Sequence, residues 1–441
     1  MLNEAFVTIA LLLQAFRTSY WFMIGMKFFP FALLLEFPLY LITLSGMISY
    51  GLRELRRVEK PRNYPKVSCI ITCYSEGDDV AITISSLANQ IYPGDIEIIP
   101  VIDGAIQNRH TLKAARRECQ KWRGMPKRHL IPLPKWQRGG RVSSLNTGLS
   151  IATGEIIMAL DGDTSFDNDM VMNATRHFED ARVVGVAGNL RARNANTSLA
   201  AKMQGLEYIL SISGGKTGLS EFNIVNNISG AFGIFRGSML RHIGGWDAGY
   251  AEDLDMTLRL KQYFGRHHGM RIVFDPHAIG HTDVPNTWRG FFKQRTYWDG
   301  GLFYVYVRKY RFNIRPSLYG WRNFIFVSLS GLMVQLLSPY MIVISIIWMF
   351  CALPPGFVLG VLSFVYGCYC LAMLGHYLVY LVGISERPKL DLAYLPYLPL
   401  FPLFVFANRV HNTYSIMSEI LTRMHLDTPM APTWVLKRTK F

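Results

Sequence analysis

The chain has 441 residues, half of them hydrophobic and only 17% charged, with a positive mean hydropathy and a formal net charge of +15 at pH 7. That composition excludes a disordered chain and a purely soluble one, and the length allows two or three domains. Much of the Lys and Arg flanks apolar segments, so membrane topology accounts for the excess better than nucleic acid does; no finger, homeodomain or aromatic RNA-binding motif is present.

Residues 5–26 are almost continuously apolar, and residues 28–50 follow, each long enough to cross a hydrocarbon core of roughly 30 Å. The first lacks the basic start and small-residue cleavage site of a signal peptide. Pro30, Glu36 and Pro38 weaken the second, although a helix bundle tolerates a prolyl kink. Arg53, Arg56, Arg57, Lys60 and Arg62 come directly after, which places that end in the cytoplasm by the positive-inside rule.

Residues 66–285 read as alternating strands and helices. Strands are expected at 67–72, at 96–102 ending on Asp103, and at 155–160 ending on Asp161; helices are expected at 80–90 and 140–153. This alternation predicts an α/β fold with a doubly wound sheet, which binds ligands at the carboxyl ends of its strands.

Residues 286–320 mix aromatics with Arg and Lys, as a helix lying in the membrane interface does. Residues 324–350 and 357–382 are long apolar runs joined by Pro354-Pro355-Gly356. Residues 386–391 are charged and return to the cytoplasm. Residues 392–407 are apolar but interrupted by Pro396, Pro399 and Pro402, which suggests a re-entrant or kinked segment. Arg409, Arg423, Lys437, Arg438 and Lys440 suit a cytoplasmic tail. The division is therefore 1–52 for the first membrane helices, 53–285 for a cytoplasmic domain, 286–320 for interfacial helices, and 321–441 for the last membrane helices and tail. The six cysteines show neither a disulfide framework nor paired zinc spacing.

Three motifs carry chemistry. Asp161-Gly162-Asp163 follows a strand; two carboxylates around a glycine suit a hard divalent ion that also takes substrate phosphates, although a plain β-turn has the same composition. Gly244-Gly245-Trp246-Asp247 precedes Ala251-Glu252-Asp253-Leu254-Asp255, an acidic cluster that either complements a helix dipole or supplies a general base. The residues alone leave Glu252, Asp253 and Asp255 open for that role. Gln294-Arg295-Thr296-Tyr297-Trp298-Asp299-Gly300 lies at the membrane side, where Trp298 suits an interfacial belt or a sugar platform and Arg295 a lipid phosphate or a diphosphate.

Taken in order, these motifs join Thr72-Cys73-Tyr74-Ser75-Glu76, Ile102-Asp103-Gly104, Gly140-Arg141-Val142-Ser143-Ser144-Leu145-Asn146 and Ser229-Gly230-Ala231. The set resembles the family 2 inverting glycosyltransferases over roughly residues 30–435. Gln294-Arg295-x-x-Trp298 is characteristic of the processive branch, the cellulose, chitin, hyaluronan and poly-N-acetylglucosamine synthases. The stretch 227–236 and the tail 418–423 look nearest to the bacterial poly-N-acetylglucosamine synthases.

The resemblance implies a GT-A-like nucleotide-sugar-binding domain inserted between transmembrane helices of the inner (plasma) membrane. Tyr74, Glu76 and Asp103 stand where the family holds uridine, and Arg141 where many members carry Lys near the nucleotide. Asp161 and Asp163 would meet the diphosphate and an Mg²⁺ or Mn²⁺ ion. Asp253 would be the base, with Glu252 beside it; Gln294, Arg295 and Trp298 would border diphosphate and acceptor. The implied partners are a UDP-sugar (UDP-GlcNAc or UDP-Glc), the growing β-linked polysaccharide and membrane lipid, with a homo-oligomer or export partner open. Ser75, Ala251 and Tyr297 depart from the common Asn, Thr and Arg. The rivals are a single-transfer enzyme acting on a polyprenyl phosphate, a transporter with a soluble domain, and an inactive sugar-binding scaffold.

Overall fold

The computed structural model describes residues 28–54, 62–247 and 250–426. The apolar run at 5–26, the cations Arg56, Arg57 and Lys60, and those at 437–440 lie outside the described residues.

Nine strands form one sheet among the described residues: β1 (Val67–Cys73), β2 (Ile96–Asp103), β3 (Arg128–Leu130), β4 (Leu133–Lys135), β5 (Ile156–Asp161), β6 (Ser165–Phe166), β7 (Val183–Ala192), β8 (Phe232–Arg236) and β9 (Arg271–Thr282). Their order is β3-β2-β1-β5-β8-β7-β9-β6, with β4 also pairing β2. β1 runs parallel to β2 and β5, as the alternating pattern predicts. The other half is mixed, because β8 enters antiparallel between β5 and β7. The sheet is thus the curled mixed sheet of a GT-A-like fold, and only its first half is wound in the doubly wound manner.

β1 and β2 are buried along their whole length, which is why they read as largely apolar runs; within them the buried polar residues Ser68 and Glu97 bond each other at 2.5 Å. Their side chains alternate between two cores. Ile71 and Ile98 enter one, Ile70 and Ile99 the other. Each such isoleucine contributes roughly 1.5–3 kcal/mol on burial. The register pairs Thr72 with Asp161 and Cys73 with Ile102, so the carboxyl ends of β1, β2 and β5 finish level with one another.

Among the described residues, four helices are long and apolar enough to cross a membrane: Ala32–Glu54, Pro316–Ala352, Pro355–Gly383 and Pro388–Thr422. The helix that begins at Pro316 kinks at Gly320, where φ is +69°, near the expected change from interfacial to spanning character. The proline-interrupted stretch is a 3-10 helix, Leu392–Leu400, that runs into the α-helix Phe401–Thr422. Arg409 is a correction to the sequence reading: it belongs to that α-helix, not to a tail. Its guanidinium pairs with Glu36, and Nη1 also donates to Ser338 Oγ at 3.2 Å. His376 is buried and bonds the Leu210 carbonyl at 3.1 Å.

Polar clamps hold the helices to the α/β domain. Arg191, at the end of β7, pairs with Asp391 at 2.7 Å, and Arg53 pairs with Glu221 at 2.7 Å. A costly contact lies at the end of the helix Glu252–Lys261. Among the described residues the fully buried Lys261 ammonium has no hydrogen-bond partner, and the Phe326 ring faces it at 5.6 Å. Burial first, and then the Arg322 charge, lower its pKa to about 7. The folded state therefore disfavours the ammonium. The penalty is full below about pH 7 and vanishes above the unfolded lysine value of about 10.4. Lys261→Met should stabilise the protein by a few kcal/mol at pH 7, because each tenfold loss of proton affinity on folding costs the ammonium about 1.4 kcal/mol. Melting curves of both proteins should converge as pH rises toward 10; a gain that persists there would contradict a buried charge as the cause.

Candidate active site

The Asp161-Gly162-Asp163 turn begins where β5 ends. Gly162 N donates to Thr72 O at 3.1 Å, and its carbonyl accepts from Thr83 Oγ1 at 2.8 Å. A side chain at Gly162 would bring a Cβ to 3.0 Å from Thr72 O and 3.2 Å from Glu76 Cγ, so the turn needs glycine to press the two aspartates against β1.

Arg141, at the start of the helix Arg141–Ile151, joins this turn to the second motif. Its Nη1 donates to Asp161 Oδ1 and, at 2.8 Å, to Thr72 Oγ1. Nη2 donates to Gly230 O at 2.5 Å, and Nε pairs with Glu252 at 2.7 Å. Asp253 lies alongside: its Oδ2 accepts from Gly230 N at 3.2 Å and from Asn227 Nδ2 at 3.3 Å. Residues 141, 161, 230, 252 and 253 therefore share one neighbourhood. A Cβ on Gly230 would sit 3.1 Å from Glu252 Oε1 and 3.5 Å from Asp253 Cβ. Asp255 points elsewhere, to Arg259, Lys309 and Tyr310, which removes it from the candidates for a base.

The cluster is electrically unbalanced. Burial raises the Glu252 carboxyl; Arg141 opposes this and Asp253 adds to it. Burial and then the Asp161 charge raise Asp163. Glu76 is pushed up to about 7, by burial first, and its Oε2 is buried without a partner. This uncompensated negative field fits a divalent cation. Among the described residues no three His, Cys, Asp or Glu side chains are placed to hold an ion by themselves. Two carboxylates completed by water and substrate phosphates are the mode Mg²⁺ favours.

Other sequence candidates behave differently. Tyr74 is exposed, and the Arg138 guanidinium stacks over its ring at 4.1 Å. Asp103 is buried and engaged by protein: it accepts from Lys135 Nζ at 2.7 Å and from Gly139 N and Gly140 N at 2.8 Å. It anchors the loop ahead of Arg141. Arg295 pairs with Glu207 at 2.5 Å and stacks over the half-exposed Trp298 ring at 4.5 Å. Gln294 Oε1 is buried without a partner. Tyr208 links the motifs, since Arg295, Glu207 and Asp163 all act on its hydroxyl, which burial pushes up to about 12.

Lys216, Asn227, Lys135 and Glu207 were missed by sequence reasoning. Lys216 Nζ donates to Asn227 O at 3.0 Å, and Asn227 in turn reaches Asp253. Burial lowers Lys216 to about 8, and the Asp253 charge opposes the shift. The only signal was the stretch 227–236, which contains Asn227 and was quoted for its likeness to the poly-N-acetylglucosamine synthases.

The turn that leads into Glu252 and Asp253 touches the helix Trp288–Phe303. Ala251 adopts φ +56°, and a Cβ on Gly301 would fall 2.9 Å from the Ala251 Cβ. Gly301→Leu should push that helix from Glu252 and Asp253. Overpacking costs about 1–3 kcal/mol; if half of that reaches the transition state, transfer slows by about twofold to tenfold. An unchanged rate in that variant would show that the contact does not position the base.

Residues 156–402 match the family model described as "Glycosyl transferase family group 2". The chain belongs to that family. This glycosyltransferase is 30% identical over 263 residues to a poly-beta-1,6-N-acetyl-D-glucosamine synthase of Staphylococcus epidermidis, covering 57% of this chain and 58% of that one. It is 29% identical over 296 residues to the synthase of that name from Staphylococcus aureus strain MSSA476, covering 65% and 68%. The chain thus spans less than two thirds of the first relative's length. Among solved structures, a mannosyltransferase from Pyrobaculum calidifontis in complex with GDP-Man and Mn²⁺ shares the fold, with a TM-score of 0.57 and 17% identity over 87% of this glycosyltransferase and 99% of that chain.

Proposed function

We propose that this glycosyltransferase moves N-acetylglucosamine or glucose from a UDP-sugar to the end of a growing β-linked polysaccharide, with inversion, in the plasma (inner) membrane. Its catalytic domain would face the cytoplasm, as the Arg53–Arg62 cluster implies. The observation that carries the reading is the convergence of Asp161, Arg141, Gly230, Glu252 and Asp253 at the strand ends, in contact with the Trp288–Phe303 helix.

The chemistry follows from these residues. Asp253 takes the proton of the acceptor hydroxyl; Gly230 N and Asn227 Nδ2 hold its Oδ2 in place. The acceptor oxygen attacks the anomeric carbon in line, the bond to the diphosphate breaks, and UDP leaves. Arg141 lies beside Asp161 to meet the diphosphate, and Glu252 holds Arg141. An Mg²⁺ or Mn²⁺ ion on Asp161 and Asp163 would neutralise the leaving group. Trp298 offers its exposed face to the acceptor sugar.

A seam beneath the site favours a polymer over a single transfer. Among the described residues, Gln294 Oε1, Arg295 Nε, Asp299 Oδ2, Asn408 Oδ1 and Asn412 Oδ1 are buried without hydrogen-bond partners on the helices Trp288–Phe303 and Phe401–Thr422. Four of the five are oxygens, and a saccharide's hydroxyls can donate to those and accept from the arginine. Purified protein incubated with Mn²⁺ and a panel of UDP-sugars should release UDP with one or two donors and yield a ladder of products on a gel. A single lipid-linked sugar would instead establish the polyprenyl-phosphate reaction. A homo-oligomer or an export partner would be read from the size of the extracted complex.

A further inference from the structure

Behind the strand end that carries Asp103, an open cleft of about 320 Å³ lies between the helix Arg109–Lys121 and the residues after β4. That volume is at the lower end of small-molecule sites. One wall carries Arg109, Lys113 and Arg116, spaced i, i+4 and i+7 on a single helix face. Among the described residues none of the three has a carboxylate within ion-pair distance, whereas their neighbours His110 and Arg117 both pair with Asp78, at 3.2 and 2.8 Å. Like charges one turn apart repel, so this face is uncompensated in the protein alone. The other wall carries Trp136, 59% exposed, and Ile106, 58% exposed. An exposed indole lining the same cleft as three cations suits a ligand with both a planar ring and phosphates.

The position argues against lipid as the anion. The cleft borders β2 and β4, at one edge of the sheet. The clamps to the membrane helices, from Arg191 and Glu221, and the close approach of Gly265 to Ser317, all belong to the half built around β7 and β9. The cleft does adjoin the expected donor site: Trp136 follows Lys135, whose ammonium holds Asp103 at 2.7 Å.

We propose that this cleft is a second nucleotide site, with phosphates on Arg109, Lys113 and Arg116 and the base against Trp136. It stands whether or not the transfer reaction is the one proposed above. Full-length protein in neutral phosphatidylcholine nanodiscs would be titrated with N-methylanthraniloyl-labelled ATP and GTP. Saturable binding is expected. It should weaken by about tenfold or more in Lys113→Glu and in Trp136→Ala, as loss of base stacking does, and be unchanged in Asp161→Asn. Both cleft substitutions are at exposed positions, and UDP binding at the donor site should stay at the wild-type level. Absence of saturable binding at millimolar probe would overturn the proposal, as would binding lost only in Asp161→Asn. Competition by pyrophosphate or polyglutamate as effective as that by ATP, with no effect of Trp136→Ala, would also overturn it and mark a general polyanion surface.

Discussion

Asp253→Asn should reduce sugar transfer by about three orders of magnitude, within the range for loss of a general base, while UDP still binds within about twofold of wild type. The substitution is isosteric, and its amide oxygen can still accept from Gly230 N as Oδ2 now does at 3.2 Å. The capacity to take a proton is removed, together with one accepted bond, because Leu254 N donates to the other oxygen, Oδ1, at 2.7 Å. Glu252→Gln is the informative companion. Glu252 meets Arg141 at 2.7 Å and touches neither Asn227 nor Gly230 N, so it positions the guanidinium and does not share the proton. Its effect should fall mainly on the apparent affinity for the nucleotide sugar. Wild-type turnover in Asp253→Asn, measured as UDP release, would remove Asp253 from the chemistry.

Arg191→Ala should lower stability by about 3–5 kcal/mol, the usual cost of breaking a buried ion pair from one side. Arg191 Nη1 bonds Asp391 Oδ1 at 2.7 Å, and Nη2 reaches Asp391 Oδ2 at 3.1 Å and the Tyr380 hydroxyl at 2.8 Å. Asp391 is 1% exposed, so the truncation leaves its charge without a counterion. The pair also ties β7 to the first turn of the helix Pro388–Thr422. Thermal unfolding in detergent should therefore show an early transition in which the domain separates from the helices. Arg193→Ala, two residues on, breaks an exposed pair with Asp283 and should cost no more than about 1 kcal/mol. Equal effects from the two would show that the clamp is not what holds the domain.

The half of the fold built on β1, β2 and β5 was legible because its strands are local signals. β5 is a continuous apolar run that stops on Asp161, and β2 is interrupted only by Glu97 before it stops on Asp103; burial on both faces produces that pattern. β8 was not legible. It is five residues long, and its partner β5 lies some seventy residues earlier, so no periodicity announces the antiparallel insertion. Arg409 misled for a related reason. A cation at the end of an apolar run reads as a flank, but Glu36, 373 residues earlier, neutralises it. Asp103 was found at its strand end, yet its partner Lys135 was not, because a lone lysine in a three-residue strand carries no pattern. The acidic cluster at 252–255 offered three carboxylates, and only packing separates Asp255, turned toward Tyr310, from Asp253, turned toward Gly230.

The most direct measurement is UDP affinity with and without Mn²⁺ for the wild type and for Asp161→Asn, Asp163→Asn and Asp253→Asn. If the acids at the ends of β5 and beside Gly230 enclose one metal-bound donor, Mn²⁺ should strengthen UDP binding in the wild type and in Asp253→Asn and have little effect in the other two. Mn²⁺ dependence that survives both Asp161→Asn and Asp163→Asn would contradict the account.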